Sequence, residues 1–189
     1  MIFELPKKKE YMRREQLTTR GMIYASMFGA LTAIGALISI PLQPVPVTLQ
    51  TLFLYLAGSL LGGSLGALSQ IIYVILGVIG LPVFSGGKAG LGVFLGPTGG
   101  YLIGFIAGAF VTGKIVEARK TPGLVWIVMA MLAGTAVVYT LGVLQLVLLG
   151  KLSVEKATAV GVLPFLPGDA LKIAAASVIV MKVKDKIRL

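Results

Sequence analysis

Apolar stretches of about 20 residues, each long enough to cross a hydrocarbon layer roughly 30 Å thick, follow one another along this chain almost without a polar interval. That succession constrains the fold more than any single motif. A water-soluble domain of this size needs polar residues to cover its surface. Here only 13% of the 189 residues are charged, against roughly 25% in an average soluble domain, and the mean hydropathy is +0.96. In lipid, each backbone N–H and C=O of a spanning segment has to be satisfied internally, which favours helices for apolar stretches of this length. The chain is read as an all-α integral membrane protein.

Six transmembrane helices in one bundle are expected near 22–41, 48–62, 64–80, 97–116, 123–149 and 163–181. The Gly62-Gly63 junction is so tight that the second and third form either a helical hairpin or one broken helix. The basic residues gather at the chain ends: Lys7, Lys8, Lys9, Arg13, Arg14 and Arg20 before the first span, and Lys182, Lys184, Lys186 and Arg188 after the last. Flanking Lys and Arg hold such segments in the cytosol, so both termini are expected there, with Lys114, Arg119 and Lys120 also inside and Lys88, Lys151 and Lys156 outside. The expected organisation is a basic cytosolic arm over 1–20, a substrate-binding membrane domain over 21–182 and a basic cytosolic tail over 183–189. The net charge of +10 is then a topology signal of a multi-pass protein of the cell membrane, surrounded by lipid and without a nucleic-acid partner. On the outer face lie the two long connections, 81–96 and 150–162, and the turn Pro41-Leu-Gln-Pro-Val-Pro46, which together are read as a ligand entrance.

Two strips of small residues recur at helical spacing. Gly21, Ala25, Gly29 and Ala33 in the first span serve either packing within the chain or docking onto a separate membrane subunit; Gly100, Gly104 and Gly108 in the fourth are assigned to internal packing. The chain has neither cysteine nor histidine, which removes thiolate nucleophiles, imidazole bases and Cys/His metal sites.

The candidate chemistry lies in Pro164-Phe-Leu-Pro-Gly-Asp-Ala-Leu-Lys172, where a carboxylate and an ammonium share one helical face. Counting up from Lys182 at about 1.5 Å per residue places Lys172 roughly 15 Å and Asp169 roughly 20 Å into the membrane. Ionised groups at that depth cost about 2.5–3.5 kcal/mol each, so they either pair structurally or serve a site. The turn Gly96-Pro-Thr-Gly-Gly-Tyr101 brings Tyr101 to the level of Asp169, as ligand contact or interfacial anchor, and Gly99 permits close approach. Thr48, Gln50 and Thr51 add neutral hydrogen-bonding groups near the same rim, with Gln70 and Tyr73 deeper. Gly108-Ala-Phe-Val-Thr-Gly-Lys114 imitates a phosphate-binding loop, but Ile115 stands where Ser or Thr would hold magnesium, so any ATP chemistry belongs to another polypeptide.

Taken in order, Pro46-Val-Thr-Leu-Gln-Thr51, Leu56-Ala-Gly58, Gly80-Leu-Pro-Val-Phe84, Gly96-Pro-Thr-Gly-Gly-Tyr101 and Pro164-Phe-Leu-Pro-Gly-Asp169 with Lys172 resemble the BioY family, the biotin-specific S components of energy-coupling factor transporters, over roughly residues 20–182. The resemblance implies a non-enzymatic six-helix subunit that needs no cofactor. It would capture biotin from outside in a high-affinity pocket, dock on a transmembrane coupling subunit and release its ligand inward as two cytosolic ATPases turn over. It also implies ligand contacts at Asp169, Lys172, Tyr101, Gln50, Phe84 and Gly99, with Lys88 near the carboxylate tail, and partner docking through Gly21, Ala25, Gly29 and Ala33, Gly29 standing where alanine is often found. Two alternatives compete. One is a purely structural membrane subunit. The other is an intramembrane enzyme using Asp169, against which stands its isolation, the one acidic residue of seven clearly inside a span.

Overall fold

The computed structural model describes residues 18–184. The expected basic arm and tail fall outside them except at 18–20 and 183–184. Seven α-helices occur among the described residues. Helix α1 runs Thr19–Leu37, capped by Thr18, whose hydroxyl accepts the Gly21 N–H at 3.2 Å. It stops short of the expected Pro41 because proline disfavours helical geometry in the residue before it and supplies no N–H itself. The chain instead forms a short antiparallel ribbon, β1 (Ser39–Ile40) with β2 (Val47–Thr48), that carries the three prolines of the 41–46 segment as a strap.

Helix α2, Gln50–Val78, is interrupted at Gly62, where φ is 83° and ψ 177°. A continuous helix would hold Gln50 and Tyr73 about 34 Å apart at 1.5 Å per residue, yet the Gln50 carboxamide donates to the Tyr73 hydroxyl at 2.5 Å. The element is therefore a hairpin, which decides between the two forms the sequence allowed. A methyl group on Gly66 would stand 2.8 Å from the Gly58 backbone, so the two arms touch through glycines. The positive φ at Gly62 is one that a residue with a side chain rarely adopts. The turn is fastened from outside: Glu117 accepts the Gly63 N–H at 2.9 Å, filling an open donor at the start of the second arm, and is itself paired with Lys114 at 2.8 Å.

A 3-10 turn (Ser85–Gly87) and the short helix α3 (Leu91–Phe94) occupy the expected 81–96 loop. Then come α4 (Gly99–Glu117), α5 (Leu124–Gly150), α6 (Val154–Gly161) and α7 (Leu166–Val183). The expected 150–162 loop is thus largely α6, started by a Ser153 side chain that accepts the Lys156 N–H. Four helices, α1, α2, α4 and α5, are long and apolar enough to cross a membrane, and α6 with α7, bent by 52°, adds a fifth candidate. The protein is a multi-pass helical membrane protein.

Helix α2 lies between α1 and α4, α5 packs outside α4, and α7 closes against α2 and α5. The α4 strip works as expected: Cβ atoms built on Gly100, Gly104 and Gly108 would collide with the α5 backbone near Leu141, Val138 and Gly134. The α1 strip is turned inward in the isolated chain. Gly21, Ala25 and Gly29 are buried, Ala33 is half-buried, and a Cβ on Gly29 would lie 2.9 Å from the Ser69 carbonyl of α2. Gly29 is thus taken up in packing within the chain. Met22, Ile23, Met27, Ile34 and Leu37 make the outward face of α1.

Candidate functional site

Asp169 enters the bundle in the first turn of α7, where Pro167 suits the opening of a helix and the helix N-terminus favours a carboxylate. One turn later comes Lys172, whose ammonium meets Asp169 Oδ1 at 2.7 Å; the residues are only 4% and 7% exposed. The pair is completed by two groups from other helices. Thr51, in the first turn of α2, donates to Asp169 Oδ1 at 3.0 Å and accepts from Lys172 Nζ at 2.9 Å. Tyr139, halfway along α5, donates to Asp169 Oδ2 at 2.5 Å. An ammonium has three donors and a carboxylate about four lone-pair sites. The network spends two of the donors and three of the acceptor sites, leaving one N–H on Lys172 and one lone pair on Asp169 Oδ2.

These groups sit on the floor of a cavity of about 610 Å³. Its deep wall is aromatic and aliphatic: Phe84, Tyr101, Leu102, Phe105, Val138 and Phe165, all buried. Glycines opposite the rings make room for them, since a methyl on Gly77 would strike Phe84 and one on Gly142 would strike Tyr101. The Tyr101 hydroxyl is tied to the Gly161 carbonyl at 2.8 Å, so this residue is a seated wall rather than an interfacial anchor. Gln50 is held between Thr48, which donates to its carbonyl at 2.7 Å, and Tyr73, leaving one amide N–H unspent. Towards the opening the lining becomes exposed: Pro41, Leu42 and Gln43 of the strap, Gly86, Lys88 and Pro97. Ser85 lines the same side with a buried hydroxyl that has no partner among the described residues.

Six of the seven expected ligand residues, Asp169, Lys172, Tyr101, Gln50, Phe84 and Lys88, line this one cavity. Gly99 does not: a Cβ there would run into the Phe94 carbonyl of α3 and the Gln145 amide of α5, so its smallness lets both come close to α4. Tyr139 and Phe165 were not foreseen, and Thr51 was seen only as a rim group. No local signal marks Tyr139, since the same span also carries Thr135, Thr140 and Gln145.

Two lysines and one aspartate line the cavity, a net charge of +1 that suits an anionic guest. No group of three or more acidic side chains among the described residues can hold a metal ion. The arrangement can bind and orient; it offers one donor beside one acceptor at the floor, ring faces above them and a cation at the mouth.

The family model described as "BioY family" matches residues 8–188. The biotin transporter BioY of Thermotoga maritima is 44% identical over 165 residues, covering 87% of this chain and 96% of that protein. That of Rhizobium etli is 39% identical over 173 residues, covering 86% and 92%. A crystal structure of the S-component for biotin from an ECF-type ABC transporter superposes with a TM-score of 0.80 at 30% identity, covering 88% of this chain and 91% of that one. A match along nearly the whole chain, in sequence and in fold together, means that this protein belongs to the BioY family.

Proposed function

We propose that the chain is the membrane-embedded, biotin-capturing S component of an energy-coupling factor importer. It is a transport component rather than an enzyme, as its relatives are named transporters. The observation that carries the reading is the buried Asp169–Lys172 pair with one donor and one acceptor unspent side by side. The ureido group of biotin presents the complement: its carbonyl accepts from Lys172 and an adjacent N–H donates to Asp169 Oδ2, in charge-assisted hydrogen bonds. The second ureido N–H faces the hydroxyl and amide groups of Thr51 and Gln50. The fused rings lie against Phe84, Tyr101 and Phe165. The carboxylate tail reaches Lys88 and the unpartnered Ser85 hydroxyl.

In this reading the arms of the α2 hairpin count separately, giving six crossings in the cell membrane with both termini cytosolic and the cavity open to the outside. Residues 21–182 form the binding domain between a basic arm and a basic tail. Biotin enters with high affinity and leaves inward when the subunit docks on a transmembrane coupling subunit driven by two ATPases. With the Gly21–Ala25–Gly29–Ala33 strip turned inward, docking falls to the outward face of α1, where Ser26 and Ala30 leave the helix surface smooth beside Met22 and Ile34.

Equilibrium binding of labelled biotin to the purified chain tests the reading. Wild type binds saturably and an Asp169→Ala, Lys172→Ala double variant does not. Equal binding by both ends it.

A further inference from the structure

The cavity is graded from a closed floor to an open mouth. Asp169, Lys172, Gln50, Tyr73 and Phe84 are buried, whereas Leu42, Gly86 and Lys88 at the other end are exposed. All the polar groups that select a ureido ring lie at the floor, so a bound biotin has one way to sit, with its acyl tail pointing to the mouth. The volume of about 610 Å³ falls within the roughly 300–1,000 Å³ that accommodates drug-sized ligands, and biotin is smaller than those. Because the lining at that end, Leu42, Gly86 and Lys88, is exposed, space beyond the carboxyl carbon continues into solvent rather than ending at a wall. The groups placed to meet the carboxylate are Lys88, an exposed side chain on a loop, and the Ser85 hydroxyl, which can donate to an amide carbonyl as it does to a carboxylate.

We propose that this subunit also captures biotin whose carboxyl group is bonded as an amide, such as biotin joined to the ε-amine of lysine, with the ring at the same floor and the amino acid or short peptide emerging through the mouth between Lys88 and the Pro41–Pro46 strap. The proposal rests on the biotin reading above and extends its substrate class from the free acid to carboxyl-linked conjugates, the products of proteolysis of biotin-bearing proteins. Amide formation removes the tail's negative charge and so its attraction to Lys88. An exposed pair of this kind contributes little, which translates to about a two- to fivefold loss of affinity. The floor contacts, which depend on a neutral ureido group, are untouched.

The test is displacement of tritiated biotin from the purified full-length chain in lipid nanodiscs, using unlabelled biotin, its lysine ε-amide and its N-methylamide as separate competitors. Both amides are expected to displace the label at concentrations within about tenfold of biotin itself. Lys88→Ala is expected to weaken the free acid and bring the three competitors to near equality. Failure of both amides at about a hundredfold above the half-displacing biotin concentration, while biotin itself binds, overturns the proposal and leaves the biotin reading standing. An acid-to-amide ratio unchanged by Lys88→Ala places the carboxyl elsewhere and also overturns it. Absence of any biotin binding by the wild type removes the reading and the proposal together.

Discussion

Single and paired substitutions at Asp169 and Lys172 separate what the charges do for the fold from what they do for the ligand. Lys172→Met leaves the Asp169 carboxylate buried with only the hydroxyls of Thr51 and Tyr139, and Asp169→Asn leaves the Lys172 ammonium with the Thr51 hydroxyl and a neutral amide in place of its counter-charge. Removing one partner of a buried pair costs about 3–5 kcal/mol, because the other charge stays out of bulk water uncompensated. Replacing both by neutral groups of similar volume is often neutral. Since about 1 kcal/mol moves the midpoint of a domain this size by roughly 2–4 °C, each single variant should melt on the order of 10 °C below wild type, with the Asp169→Asn, Lys172→Met double variant recovering most of that loss. Biotin should raise the melting temperature of wild type and of none of the three variants, because each lacks the donor or the acceptor that the ureido group needs. Thermal unfolding of purified protein with and without biotin reads both quantities. If the double variant melts as low as the sum of the single effects, the two charges are not coupled across 2.7 Å and the argument for the floor fails. If the double variant is still stabilised by biotin, the pair is structural and the ligand sits elsewhere.

Three further outcomes are expected. Tyr139→Phe deletes the donor to Asp169 Oδ2 while keeping the ring that packs on Phe165, and a hydrogen bond to a charged group is worth about 1.5–3 kcal/mol; biotin affinity measured by equilibrium binding should fall about tenfold or more, and an unchanged affinity would show that the carboxylate does not need that support. Gly62→Ala forces a side chain into φ 83° and against the Glu117 carboxylate, at a cost of at least about 1–2 kcal/mol; melting should drop by several degrees, whereas Gly123→Ala, with open space around it, should leave it unchanged. Ala30→Trp on the outward face of α1 should abolish co-purification with the coupling subunit while leaving biotin binding by the isolated chain intact; retained co-purification moves docking to another surface.

The sequence by itself determined the membrane setting, the helical class and the positions of the spans to within a few residues, because apolar length and the need to satisfy backbone groups in lipid are properties of each segment alone. Residues 97–116 and 123–149 were expected as spans, and Gly99–Glu117 and Leu124–Gly150 are helices. It also singled out Asp169 and Lys172, since charge at that depth is visible without knowing any neighbour. Only the tertiary structure decided which groups meet them. Thr51 and Tyr139 lie 118 and 30 residues from Asp169, and nothing local marks a hydroxyl as aimed at a carboxylate rather than at its own helix, as Thr140 is. The Gly62 hairpin, the inward turn of the Gly21–Ala25–Gly29 strip and the close approach of Phe94 and Gln145 to Gly99 have the same cause. A small residue lets something come close, but which helix comes close is settled by how the bundle closes as a whole.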